Sequence, residues 1–110
     1  MGLRKLFGRG GRRAERVTDT DARYLAEWAR THIGVEAFVE PRTTVTPLTV
    51  MLVAADGQWT RRAVGGERGA RRLGEDLHIP VYDVRKTGYP QRMRDHEARQ
   101  KILRNRAREA

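Results

Sequence analysis

The residues with chemistry to offer in this chain are its cations. Arg61 and Arg62 are adjacent. Arg68, Arg71 and Arg72 follow within three helical turns. Arg85 and Lys86 are adjacent again, Arg92 and Arg94 bracket Met93, and Tyr89 lies between the last two groups. Guanidinium groups hold phosphate through paired N–H donors, and an aromatic ring among cations offers a face on which a base can stack. These ten residues form the candidate nucleic-acid-binding set. Other chemistries lack their residues. The chain has neither Cys nor Ser, which excludes a disulfide scaffold, a thiolate zinc site, a CxxC redox pair and a Ser or Cys nucleophile. His32, His78 and His96 follow no HxH or HExxH spacing, and His96 beside Asp95 and Glu97 reads as solvated helix surface. Glu75 and Asp76 are adjacent, so they diverge on a helix. Arg71–Glu75 and Arg72–Asp76 have the spacing of surface ion pairs. Catalytic, cofactor-binding and metal-binding residues are therefore expected to be none, and no cofactor is implied.

The elements that would position these cations come from a chain of one domain's length, 110 residues, with a net charge of +9. The charge is uneven. Residues 1–17 sum to +5, residues 18–84 to −2 and residues 85–110 to +6. A nearly neutral body between basic segments suits polyanions such as nucleic acid or an anionic membrane surface. Arg outnumbers Lys 20 to 3, and a GC-rich coding sequence alone would produce that bias. The Gly-rich residues 1–17 read as a flexible basic arm, and Leu3, Leu6 and Phe7 allow weak membrane-surface contact through residues 1–13. The longest apolar run, Val50 to Ala55, is far short of the ~20 residues that span a bilayer. No secretory signal is legible, so a cytoplasmic location is expected.

Along residues 18–90 the pattern predicts an α/β domain. Thr18 and Asp21 open a capping-box-like start. Ala22, Leu25, Ala26, Ala29 and Ile33 then recur at helical spacing and predict a helix over 20–33, with Trp28 in the core and Gly34 as its stop. Val35–Glu40 alternates as a strand ended by Pro41, 41–47 is a proline-bracketed loop, and Leu48–Ala55 is the central buried strand. Asp56-Gly57 predicts a two-residue type I′ hairpin, with Gln58–Val64 as the returning strand. Gly65-Gly66 leads into a helix over 67–77, and Val81–Arg85 is the last strand. Residues 91–110 form a basic helical tail. The fold class is α+β: a single small domain of order α-β-β-β-α-β with a mixed sheet, plus a basic C-terminal helix. A right-handed crossover between the last two strands would gather the ends of both, with their arginines, at one edge.

Two resemblances attach to these residues. The element order over 20–85 resembles the core of the PD-(D/E)xK nuclease-like fold. That family's metal-binding carboxylates and lysine would fall on the second and third strands, which read LTVMLVAA and QWTRRAV and contain neither. The resemblance thus implies a catalytically dead core. The segment from Ile79 to Asp95, with Gly88-Tyr89-Pro90-Gln91-Arg92-Met93-Arg94-Asp95 at its heart, resembles one in small uncharacterised actinobacterial proteins, some labelled oxidoreductase. That label implies a nucleotide cofactor. Val64-Gly65-Gly66-Glu67-Arg68-Gly69 lies where a G-x-G-x-x-G loop would, with Asp83 downstream, but Val64 replaces the first glycine and Glu67 places a negative charge at the pyrophosphate position.

The expected function is a non-catalytic basic module that binds nucleic acid by phosphate contacts. RNA, ribosomal RNA included, is slightly favoured over DNA, because no helix-turn-helix or zinc finger is recognisable. The alternative is a small protein-interaction domain that uses the sheet edge and the tail to hold a protein partner. A nucleotide-cofactor-dependent oxidoreductase is the third reading.

Overall fold

The computed structural model describes residues 19–109. The basic arm of 1–17, the membrane contact through 1–13 and the start at Thr18 lie outside the described residues. Four helices and four strands follow in the order α1 (Asp19–Arg30), β1 (Glu36–Glu40), β2 (Thr49–Val53), β3 (Trp59–Ala63), α2 (Gly66–Leu77), β4 (Val81–Asp83), α3 (Val84–Thr87) and α4 (Gln91–Glu109). The class is α+β, with one mixed sheet of order β3-β2-β1-β4 and a C-terminal helix. β2 pairs antiparallel with β1 and β3, and β4 runs parallel to β1. No described helix is long and apolar enough to cross a membrane.

Strand alternation sends side chains to two faces. On one face Ala37, Val50 and Leu52 are buried with Leu25 of α1 and Ala70 of α2, and Trp28, Ala29 and Leu73 pack around them. Each fully buried Val or Leu contributes about 1.5–3 kcal/mol, so this layer carries most of the stability. The opposite face buries only Phe38, Met51 and Val53, against Trp59, Val84 and Met93. Met93 belongs to α4, so the tail helix begins as part of this second layer.

Four expectations are corrected. The first helix ends at Arg30: the His32 ring meets Trp28 O at 2.7 Å, the carbonyl the next helical amide would use, and Gly34 turns the chain at positive φ; Ile33 is left 84% exposed rather than in the core. The hairpin is not type I′. The Gly57 amide donates to Ala54 O and the Ala54 amide to Gln58 O, so Ala55, Asp56 and Gly57 form the loop, and among them only Gly57 has positive φ. That is the three-residue loop with a glycine bulge. The last strand stops at Asp83, whose carboxylate accepts the Arg85 amide at 2.8 Å and starts α3, so Arg85 and Lys86 sit on a helical turn instead of ending a strand. Finally, β3 and β4 occupy opposite edges of the sheet, separated by β2 and β1.

Candidate nucleic-acid interface

The sheet order scatters the ten candidate residues, and most of them spend their charge on the protein itself. Arg61, on β3, forms a two-point pair with Glu40 of β1 at 2.6 and 2.8 Å and lies 5.0 Å from the centre of the Trp59 ring. The same carboxylate accepts the Tyr89 hydroxyl at 2.7 Å and the Thr49 hydroxyl at 2.7 Å. Burial pushes the Glu40 pKa up, but the hydrogen bonds from Arg61, Tyr89 and Thr49 together outweigh it and hold the carboxyl below its ordinary value. The hydroxyl of Tyr89 is thereby engaged in pinning the 88–90 turn to the sheet.

Arg62 projects to the other face of β3, where its guanidinium lies 3.9 Å from the centre of the Tyr24 ring and 3.6 Å from Asp21. Arg72 pairs loosely with Asp76 at 3.9 Å, as its spacing predicts. Arg85 makes a two-point contact with Asp83. Its guanidinium, and then its backbone amide, lower the Asp83 pKa to about 2. Lys86 is exposed on α3. Arg68 and Arg71 also remain exposed, with no protein partner among the described residues. They line an open groove of about 1040 Å³ between α2 and the β1–β4 side of the sheet, together with Arg42 and Arg85. Glu67, Glu75 and Asp83 line it as well, so four arginines face three carboxylates.

Gly65 and Gly66, at the mouth of this groove, both have positive φ, as a sharp strand-to-helix turn requires. A Cβ at Gly69 would lie 1.5 Å from the Val64 carbonyl oxygen, so glycine there permits the first turn of α2 to sit against the end of β3. Packing alone accounts for these glycines.

Arg92 and Arg94 open α4, and their partners are backbone carbonyls, a carboxylate and the side-chain amide oxygen of Gln91. Arg92 donates to Ala54 O at 2.9 Å and to the Glu36 carboxylate at 2.6 Å, and Arg94 donates to Tyr89 O at 2.8 Å. Glu97 accepts the Trp59 indole N–H at 2.7 Å, and Arg99 reaches Asp56 O at 3.5 Å. A Cβ on Gly57 would lie 2.2 Å from Arg92 O and 2.7 Å from His96 Cβ, so the hairpin tip and the helix touch backbone to backbone. These contacts seat residues 91–100.

From Lys101 onward the helix changes character. Every side chain from Lys101 through Glu109 is exposed, and none makes a hydrogen bond or ion pair among the described residues. This nine-residue end, about 13 Å long at 1.5 Å per residue, carries Lys101, Arg104, Arg106 and Arg108 against Glu109 alone. Counting charge by segment found the tail but not these residues; the ten candidates stop at Arg94. What the one-dimensional reading lacked was the contacts that occupy Arg92 and Arg94 and leave the later cations open. Among the described residues no group of His, Asp and Glu is placed to hold a metal.

Comparison with protein-family models, with curated proteins and with solved structures finds no match to this chain.

Proposed function

We propose that the chain is a non-catalytic module that binds nucleic acid through phosphate contacts, and that the free end of α4 is the principal contact. The observation that carries this reading is the net positive segment 101–109, whose side chains have no partner among the described residues, on a helix whose root is seated in the domain. A cation already paired with a carboxylate must lose that partner before it can help a phosphate, so Arg61, Arg85 and Arg92 contribute little. Lys101, Arg104, Arg106 and Arg108 lose only water and counterions. Arg68, Arg71 and Lys86 are the other open cations of the candidate set and would add weaker contacts. Phosphate contacts carry no sequence information, so specificity is low.

Fluorescence anisotropy with labelled oligonucleotides over a salt series tests the reading. With four to five phosphates neutralised, log Kd is expected to rise with log salt with a slope of about 4, which makes affinity fall several hundred-fold from about 50 to about 200 mM salt. Absence of binding at low salt, or binding indifferent to salt, overturns the reading. Nuclease-resistant capture of one protein by the full chain, with no nucleic acid bound, would replace it with the protein-interaction alternative.

A further inference from the structure

The arrangement of cations around the free end of α4 goes beyond their number. At 100° per residue, Lys101, Arg104 and Arg108 fall along one side of the helix. Arg106 falls along the opposite side, roughly 180° away, in line with Arg99 at the end of the seated half, which already donates to Asp56 O. Between them, continuing the face that seats Met93 and His96 on the domain, lie Leu103 and Ala107. Ile102, Asn105 and Glu109 occupy the back. Two cationic flanks around a small apolar strip match a ligand with two phosphate rows about one helix diameter apart.

We infer that this end of α4 seats in the major groove of B-form duplex DNA, an inference that rests on the reading of the chain as a nucleic-acid binder. The major groove of B-DNA is about 12 Å wide and 8.5 Å deep and admits an α-helix, whose diameter with side chains is about 10–12 Å. A helix lying in it faces a phosphate row on each wall, and the two flanks of α4 reach one row each. Leu103 and Ala107 point to the groove floor, where thymine methyl groups offer apolar contact. The other polynucleotides fit less well. The major groove of A-form RNA is deep and too narrow to read with side chains. A single strand presents one phosphate row and engages one flank. The slight preference for RNA drawn from the missing helix-turn-helix is therefore replaced by a preference for DNA duplex, delivered by a projecting helix end.

The test uses the full chain and three labelled probes of one sequence: duplex DNA, duplex RNA and single-stranded DNA, all at about 50 mM salt. Duplex DNA is expected to bind at least tenfold more tightly than either other probe. K101Q/R104Q/R108Q and R106Q, each disarming one flank, are expected to reduce the salt slope on duplex DNA by about 3 and about 1 respectively. Guanine N7 lies in the major groove, so the wild-type chain is expected to protect it from methylation, a readout that needs no variant. Equal binding to duplex RNA, an effect from only one flank, or unprotected N7 overturns the groove assignment while leaving the binding reading in place. Failure to bind any probe overturns both.

Discussion

The two halves of α4 both carry cations and put them to opposite use. Residues 91–100 and 101–109 are both rich in cations. In the first half Arg92 and Arg94 donate to carbonyls and a carboxylate, Met93 enters the second core, and Glu97 holds the Trp59 indole. In the second half no side chain is held by another of the described residues, and Ile102 and Leu103 are 50% and 54% exposed. A count of positive charge therefore measures two different things here. In the root it measures anchorage, and in the free end it measures charge open to a ligand. The same division runs through the domain, where Arg61 and Arg85 are anchors and Arg68 and Arg71 are open.

Substitutions in the root are expected to change stability, and substitutions in the free end are not. The largest effect belongs to Gly57→Ala. The new Cβ meets the Arg92 carbonyl at 2.2 Å on a backbone with φ of +93°. The cost is expected to be about 3 kcal/mol in denaturant unfolding, and a change below 1 kcal/mol would show that the tip and helix are not in contact. Arg92→Met keeps the stem but removes charged hydrogen bonds to Glu36 and Ala54, a loss of about 2 kcal/mol by the same measurement. Trp59→Phe retains the ring against Met51 and Val53 and loses the bond to Glu97, which is worth about 1 kcal/mol.

Glu40, which holds the turn ahead of α4 through Tyr89, supplies a pH-dependent contribution. Its folded pKa lies below the ordinary value of 4.5, so the unfolded chain binds the proton more readily. Its stabilisation is complete above that value and is lost as pH falls through the lower folded one. Glu40→Gln is expected to flatten the stability profile below about pH 4.5 relative to the unaltered chain; an unchanged acid limb would contradict the assignment. The smallest effect is that of K101Q/R104Q/R108Q on stability, within about 0.5 kcal/mol of zero, as for exposed residues without partners among the described residues. A larger loss would mean that the free end is docked.

The backbone was largely legible from the sequence, because its signals are local. Periodicity in 20–33, alternation in 35–40, the apolar run at 48–55 and the breakers at Gly65-Gly66 and Pro80 place the elements in the right order. Local reading failed where one side chain redirected the backbone. The His32 ring takes the Trp28 carbonyl at the end of α1, and the Asp83 carboxylate converts the end of a strand into α3. Asp56-Gly57 marked the hairpin but not its type, because the registration of Val53 with Trp59 brings Ala55 into the loop. The candidate site was legible only as a charge excess. Which cations are open depends on pairs far apart in sequence: Glu36 with Arg92, Glu40 with Arg61 and Tyr89, and Trp59 with Glu97. No spacing rule reports such pairs, and strand order decided them by placing β3 and β4 on opposite edges.

The central claim is that the free end of α4, and not its root, meets the nucleic acid. Amide and side-chain NMR of the full chain, titrated with a short DNA duplex, tests it most directly. The account expects the largest shifts at residues 101–109, with the Trp59 indole and Arg92 Nε signals unmoved because their hydrogen bonds persist. Shifts centred on the Arg92–Glu36 and Trp59–Glu97 contacts, with 101–109 silent, would contradict it.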